Sequence, residues 1–215
     1  MLMGLALTGV FALGTFNLAF QGTAGAYQLT PLGQTLFGSP LMWLIVLAPL
    51  GMVFFLSFRI QKMSVGAAQM TFWIFAALMG VSLSTIFAAY TATSITQVFF
   101  ITAATFGAMS LWGYTTKRDL TGMGSFLFMG LIGIIIAMLV NIFLQSSALQ
   151  FAVSVIGVLI FTGLTAYDTQ KIKEMYYVGD DGTVAGRKAI MGALSLYLDF
   201  INLFLMLLRL FGNRN

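Results

Sequence analysis

The sequence ALQFAVSVIGVLIFTGLTAYDTQKIK, residues 148–173, decides the fold. It is long and apolar enough to cross a bilayer as a helix, and one carboxylate, Asp168, stands near its end. A carboxylate inside such a segment costs about 2.5–3.5 kcal/mol on insertion scales, so it normally faces a cavity or a partner. One other carboxylate, Asp199, lies inside an apolar segment. We therefore expect the two aspartates to meet inside a helical membrane bundle.

The composition of the whole chain also indicates a membrane protein. Of its 215 residues, 60% are hydrophobic and only 7% are charged, whereas soluble domains carry about 25% charged residues. The chain therefore cannot cover itself with a water-facing surface. Its apolar runs are about 20 residues long, the length of a membrane-spanning helix, which excludes an outer-membrane barrel of ten-residue strands.

The chain contains neither histidine nor cysteine. This excludes disulfides, thiol chemistry and the usual zinc sites, and it removes the side chain that ordinarily titrates near neutral pH. Any response to pH near neutrality must then come from carboxylates in an unusual setting. The net charge of +4 is small and lies mainly in loops, so we expect no nucleic acid as a partner.

Seven apolar segments predict an all-α polytopic membrane protein, a bundle of seven transmembrane helices that forms one domain over residues 1–215. The segments lie at 3–20, 41–58, 66–90, 96–116, 122–144, 148–172 and 189–210. The first is interpreted as a retained helix, because it has neither the basic leader nor the cleavage site of a signal peptide. Its abrupt apolar start suggests that a short polar leader is missing.

Lysine and arginine residues set the predicted orientation. If every segment spans, the following residues lie at one end of the bundle: Arg59, Lys62, Lys117, Arg118, Lys171, Lys173, Arg187 and Lys188. The loops at 21–40, 91–95 and 145–147 contain no basic residue. We therefore expect the basic end and the N-terminus in the cytoplasm. Arg209 then lies on the outer side, against the rule, unless the last segment re-enters the membrane; its length favours a span.

The last segment carries a stripe of polar and small residues at helical spacing. Steps of three and four residues place these on one face: Lys188, Gly192, Ser195, Asp199, Asn202, Met206 and Arg209. Such a stripe is typical of a helix in the middle of a bundle, as a close-packing face or as the lining of a hydrophilic path. Ser195, Asn202 and, on the preceding helix, Thr165 are the candidates that line a path.

The pair of Asp168 and Asp199 is the candidate pH sensor and gate. With one shared proton the pair carries less charge, and the bundle can close around it. With both groups ionised, the carboxylates repel each other and can attract a cation. Calcium needs about six to eight oxygen ligands, so the two aspartates with Asn202, Ser195, Thr165 and water predict only a weak, transient calcium site. We expect no other cofactor.

Arg59 is the candidate latch. It ends the second segment at the membrane face predicted for Asp168, where an arginine could pair with that carboxylate and hold the site shut. It could equally be an ordinary anchor that reaches towards the lipid headgroups. Both interpretations stay open at the level of the sequence.

The segments GLTAYDTQKIKEMY at 163–176 and GALSLYLDFINLFLMLLRL at 192–210 resemble the transmembrane Bax inhibitor motif family, in its bacterial branch. Residues 100–133 and 56–60 are also similar to this family. The resemblance implies a seven-helix bundle with the last helix in the middle, and a pH-sensitive calcium leak with Asp168 and Asp199 as its sensor. It implies a bacterial inner (plasma) membrane protein whose partners are calcium ions, protons and lipid. We expect a monomer.

Other functions compete with a calcium leak. A proton-coupled transporter of another solute also uses intramembrane carboxylates, although no inverted repeat with broken helices is visible. A non-transporting regulator would bind membrane protein partners, such as a membrane protease. An intramembrane aspartyl protease needs two aspartates, one of them after a tyrosine, as Tyr167 precedes Asp168, but Asp199 lacks the Gly-x-Gly-Asp context of such enzymes. We therefore expect no enzyme.

Overall fold

The computed structural model describes all 215 residues, and 82% of them are helical. Nine α-helices and one short hairpin follow one another along the chain. Their bounds are α1 Leu2–Ala19, β1 Phe20–Gln21, β2 Gln28–Leu29, α2 Pro31–Phe37, α3 Leu41–Arg59, α4 Val65–Leu83, α5 Ile86–Ala89, α6 Ala92–Thr115, α7 Thr121–Leu144, α8 Ser147–Met175 and α9 Gly182–Phe211. A single 3-10 turn, Ile60–Lys62, continues α3.

Seven helical segments are long and apolar enough to cross a membrane, which confirms the predicted polytopic helical fold. They are Leu2–Ala19, Leu41–Lys62, Val65–Ala89, Ala92–Thr115, Thr121–Leu144, Ser147–Met175 and Gly182–Phe211. Three spans were predicted too short. The second continues to Lys62 instead of 58, the fourth begins at Ala92 instead of 96, and the last begins at Gly182 instead of 189. Helical hydrogen bonds continue into polar sequence after the apolar pattern has ended.

The connection at 21–40, predicted as a loop, contains ordered structure. Strands β1 and β2 pair antiparallel, with Phe20 opposite Leu29. Helix α2 follows at once, because Thr30 caps it by accepting a hydrogen bond from the Gly33 N–H at 3.0 Å and Pro31 occupies its first turn, where no N–H is needed.

The chain divides into two compact units. The first comprises Met1–Ala92, Gly179–Leu194 and Asn213–Asn215; the second comprises Thr93–Val178 and Ser195–Gly212. Helix α9 thus contributes its first part to the first unit and its second part to the second unit. That the whole chain forms one domain stays a prediction.

Small residues bring α1 and α4 together in the first unit. The Thr8 hydroxyl donates to the Ala76 carbonyl of α4 at 2.9 Å. A Cβ on Gly80 would lie 2.5 Å from the Thr8 carbonyl oxygen, so only glycine permits this approach. Ala12 is buried one turn further along α1. This is the close packing through small side chains that membrane helices use in place of a hydrophobic driving force.

Both ends of α9 are fixed within the first unit. The Arg187 Nε donates to the Met63 carbonyl at 2.8 Å, so α9 begins beside the connection that precedes α4. The backbone N–H of Asn215 donates to the Ala89 carbonyl at 3.1 Å, so the residues after α9 lie beside the end of the third span. Helix α9 is unbroken over 30 residues. Its two ends therefore lie beside opposite ends of the third span, which is the arrangement expected of a full-length spanning helix.

Helix α9 is also the most buried of the seven spans. In its most apolar 18-residue stretch 56% of the residues are buried, compared with 39% in α8 and 6% in α7. This burial is what a helix in the middle of a bundle requires, as the polar and small-residue stripe predicted. The aspartate of that stripe is therefore held away from lipid.

Candidate functional site

The structure brings Asp168 of α8 and Asp199 of α9 together inside the second unit. Their carboxyl groups lie close enough to act on each other. Asp199 is only 5% exposed, whereas Asp168 is half-buried. Two carboxyl groups can form a hydrogen bond with each other only when one of them carries a proton, so this arrangement suits a pair that shares one proton.

One carboxyl oxygen of the pair lacks a partner. Asp199 Oδ2 is buried and accepts no hydrogen bond within the protein. A buried oxygen in this state is costly and is ready to accept a proton, a water or a cation. The pair can therefore take up or release a proton, and its deprotonated form offers oxygen ligands.

Aromatic side chains separate the α9 part of the site from its surroundings. Phe200, next to Asp199 in sequence, packs edge-on against Phe99 and Phe106 of α6, with ring centroids 5.6 and 5.5 Å apart. Tyr197 is fully buried two residues before Asp199. Apolar packing between α6 and α9 thus surrounds the turn of α9 that carries Asp199.

Polar contacts of Thr169, Gln170 and Lys173 hold the end of α8 in place next to Asp168, and we call this group the Gln170 clamp. The Gln170 side chain is buried, with 7% exposed. Its Oε1 accepts from the Leu120 N–H at 2.8 Å, and its Nε2 donates to the Arg118 carbonyl at 2.8 Å. One side chain therefore satisfies two backbone groups of the connection between α6 and α7, and ties that connection to α8 two residues from Asp168.

Two further contacts join the same end of α8 to α6. Thr169 and Ser110 share a hydrogen bond of 2.9 Å between their hydroxyl groups. The Lys173 ammonium donates to the Tyr114 carbonyl at 2.8 Å and lies 5.0 Å from the centre of the Tyr114 ring. Thr169, Gln170 and Lys173 lie within about one helical turn, so polar contacts on this turn fix the register of α8 against α6 and the connection that follows it.

Two glycines allow the helices to approach this end of α8. A Cβ on Gly113 of α6 would lie 2.2 Å from the Ala166 carbonyl oxygen, and a Cβ on Gly124 of α7 would lie 2.5 Å from the Tyr167 ring. Ala166 and Tyr167 directly precede Asp168. Every residue from 166 to 170 thus has a specific neighbour in the second unit, and the position of the carboxyl group follows from that packing.

The predicted path residues lie close to the pair in sequence but are engaged in their own helices. Thr165 is fully buried, and its hydroxyl donates to the Phe161 carbonyl at 2.7 Å. The Asn202 amide donates to the Leu198 carbonyl at 2.8 Å. Ser195 is half-buried one turn before Asp199. A role for Thr165, Ser195 and Asn202 along a path stays a prediction.

Of the two basic residues that the sequence suggested as partners of Asp168, Lys171 is close to that carboxyl group. Lys171 follows Asp168 by one turn, and its positive charge acts on the Asp168 carboxyl group, while its ammonium lies 5.9 Å from the centre of the Tyr167 ring. Arg59 is exposed at the end of α3 in the first unit. Its role as a latch stays a prediction.

The acidic side chains of the structure do not form larger clusters. No group of three or more acidic side chains is assembled anywhere in the structure, whereas calcium needs about six to eight oxygen ligands. Outside the membrane helices, the hydrogen bond with Thr121 lowers the pKa of Asp119, so that this carboxylate stays charged through the neutral range and does not serve as a sensor there.

The sequence pattern did not reveal the clamp. Gln170, Thr169 and Ser110 are common polar residues, and their partners include backbone groups of a connection that is 50 residues away in sequence. One signal was available: a glutamine at the end of an apolar run is buried only if its amide is satisfied. The glycines Gly113 and Gly124 carry no chemistry and become informative only through the contacts that they permit.

Comparison with known proteins agrees with the resemblance. A family model described as inhibitor of apoptosis-promoting Bax1 matches residues 1–215. An uncharacterised protein of Rickettsia prowazekii (strain Madrid E) is 50% identical over 214 residues, which cover 100% of this chain and 86% of that protein. The inner membrane protein YbhL of Escherichia coli (strain K12) is 58% identical over 172 residues, which cover 79% of this chain and 74% of YbhL.

A membrane protein of Streptococcus pyogenes serotype M3 is 48% identical over 149 residues, which cover 69% of this chain and 65% of that protein. These names and the seven apolar spans support a multi-pass inner membrane protein. The family is not a known group of enzymes. Since the family model covers the whole chain, this protein belongs to the Bax inhibitor-1-like family of membrane proteins.

Proposed function

We propose that this protein is a pH-gated calcium leak channel of the inner membrane, and that the proton shared by Asp168 and Asp199 is its gate. The observation that carries the proposal is the buried contact between the two carboxyl groups, with Asp199 Oδ2 left without a partner. Membrane interiors rarely contain such groups unless they serve a proton or an ion.

The closed state is the singly protonated pair. Its hydrogen bond joins α8 to α9, and the clamp around Gln170 keeps the end of α8 in place. Loss of the shared proton leaves two carboxylates side by side. Two unit charges 4 Å apart repel by about 4 kcal/mol at an effective dielectric constant of about 20, which is enough to break the contact. Leak therefore increases as pH rises.

The deprotonated pair then attracts a cation. In the proposal, Asp168 and Asp199 form a weak, transient calcium site together with water, while Ser195, Asn202 and Thr165 line the adjoining path. Ser195 and Asn202 lie one turn before and after Asp199 on α9, so a path along this face would meet them in succession. Weak binding suits passage, because an ion must leave as readily as it enters.

The proposed channel also has a defined orientation in the membrane and defined partners. The basic loops and the N-terminus lie in the cytoplasm, by the positive-inside rule. The protein works as a monomer with calcium ions and protons as its partners, has no cofactor and catalyses no reaction. Arg59 stabilises the closed state as a latch.

Calcium influx into proteoliposomes tests the proposal. Purified protein is reconstituted with a calcium-sensitive dye inside, and influx is measured from about pH 6 to about pH 8, on both sides of neutral pH. We expect influx that rises with pH in the wild type. The double variant Asp168→Asn, Asp199→Asn should lose this dependence, because neither amide titrates.

Two results would contradict the proposal. Influx with the same pH profile in the double variant would exclude the pair as the sensor. Absence of influx at every pH, in liposomes that contain folded protein, would instead favour a proton-coupled transporter of another solute or a regulator of membrane protein partners.

A further inference from the structure

A crevice opens at the opposite end of the second unit from the Gln170 clamp. It has a volume of about 380 Å³, within the range of about 300–1,000 Å³ for small-molecule sites. Its polar lining consists of Asn141 of α7, Gln150 of α8 and Arg209 of α9. Each of the three lies within about one turn of the end of its helix, which is the depth of the lipid headgroups in a spanning bundle.

The polar groups at the mouth of the crevice are mainly donors. Asn141 Oδ1 already accepts from the Ser146 N–H at 2.9 Å, so its amide nitrogen is the part left to bind a ligand. Arg209 is exposed, and its contact within the protein is with the Met138 sulfur at 3.9 Å. A guanidinium carries five donors and no acceptor. The mouth therefore suits an anion.

No carboxylate of the second unit can neutralise Arg209. Asp119, Asp168 and Glu174 lie towards the other ends of α7 and α8. Asp199 is ten residues before Arg209, about 15 Å along the helix. The arginine thus carries an unpaired charge at the end of the bundle that lacks basic loops, the position that the positive-inside rule disfavours.

Below the polar mouth the walls are apolar. On α7, Leu139 lies about half a turn and Ile135 nearly two turns deeper than Asn141, and both are exposed, while Val153 on the α8 side of the crevice is buried. A donor-rich mouth at headgroup depth above an exposed apolar wall matches a phospholipid, with its phosphate at the mouth and an acyl chain along α7. A free anion would use the mouth alone and leave the wall uncovered.

We propose that this crevice is a binding site for an anionic phospholipid, in which Arg209 holds the phosphate and Asn141 and Gln150 donate to it. The planar guanidinium binds phosphate through two parallel hydrogen bonds. The site does not depend on the aspartate pair or on calcium flux, because it lies in another part of the second unit.

Lipid-dependent stability tests the site. Delipidated protein in detergent is titrated with phosphatidylglycerol, and the midpoint of thermal unfolding is followed. We expect a saturable upward shift in the wild type, a smaller shift with the zwitterionic phosphatidylcholine, and no comparable shift with glycerol 3-phosphate. Native mass spectrometry should find one phosphatidylglycerol retained per protein.

The variants separate this site from general lipid solvation. Arg209→Gln should abolish the saturable shift and the retained lipid, and Asn141→Asp, which keeps the acceptor for Ser146, should weaken both by charge repulsion. Arg214→Gln is the matched control, because it removes an arginine after the same helix whose guanidinium lies 6.0 Å from the centre of the Tyr90 ring and outside the crevice; it should behave as wild type. An equal shift in the wild type and Arg209→Gln, or an equal shift with glycerol 3-phosphate, would overturn the proposal.

Discussion

Within the Gln170 clamp, we expect substitution of Gln170 itself to lower the stability of the protein most. It satisfies the buried Leu120 N–H and the Arg118 carbonyl, both at 2.8 Å. Gln170→Ala leaves both backbone groups without a partner, and a buried unsatisfied group costs about 1–3 kcal/mol. We therefore expect the free energy of unfolding to fall by about 1–3 kcal/mol or more, as measured by unfolding in mixed detergent micelles.

A matched substitution controls for the loss of a glutamine. Gln61 is exposed in the 3-10 turn after α3. The control variant Gln61→Ala should therefore change the free energy of unfolding by less than about 0.5 kcal/mol. If Gln170→Ala were as stable as Gln61→Ala, the clamp would contribute nothing to the stability of the protein.

Arg59 allows a test of the latch by charge alone. If its guanidinium stabilises the closed state, Arg59→Ala should raise calcium influx at the low end of the pH range, where the proposed channel is closed. Arg59→Lys should restore part of the wild-type behaviour, because lysine keeps the charge but not the planar geometry. Influx that is unchanged in Arg59→Ala would return this residue to the role of an anchor at the membrane surface.

The sequence predicted the two carboxyl groups of the site but not the residues that position them. Asp168 and Asp199 are rare in their setting, because a charge in an apolar segment is costly, so they could be found without a structure. Gln170 binds backbone groups of a distant connection, and Gly113 acts through the absence of a side chain. Neither role leaves a pattern in residue types.

Helix α8 is positioned by the close approach of α6, and a matched pair of glycines tests this. A Cβ on Gly113 would lie 2.2 Å from the Ala166 carbonyl oxygen, whereas Gly107 on the same helix has open space around it. Overpacking against backbone costs about 1–3 kcal/mol. Gly113→Ala should therefore lower the free energy of unfolding by that amount.

Gly107→Ala should be neutral or stabilising by up to about 1 kcal/mol, since alanine favours helix over glycine. Both free energies can be measured by the same unfolding assay in mixed micelles. Equal stability of the two variants would mean that α6 and α8 are not in the tight contact described here.

The seven spans were predictable because lipid-crossing length requires long apolar runs. The ends of the spans were less predictable. Helix α9, for example, begins at Gly182 with the stretch GTVAGRK, which lies outside the apolar pattern. The β1–β2 hairpin and α2 were missed for a related reason. They are short elements in an uncharged connection, where turn residues and Thr30 give only local signals.

For the molecule as a whole, the distribution of charge is the main functional feature. The chain has only 6 acidic residues, and two of them are in contact inside the membrane helices. In the second unit, Lys117, Arg118, Lys171 and Lys173 lie at one end, whereas Arg209 lies at the other end. The proposed proton switch and the proposed lipid site would explain why these few charged residues remain in positions that are costly in a membrane.

The central claim is that one shared proton controls both the aspartate contact and the leak. Infrared difference spectroscopy detects the protonated carboxyl group directly and can be titrated over the same pH range as calcium influx. We predict that the carboxyl signal and the influx change with the same midpoint, and that Asp199→Asn removes both transitions. A carboxyl transition in a pH range where influx is flat, or influx that keeps its pH profile in Asp199→Asn, would contradict this account.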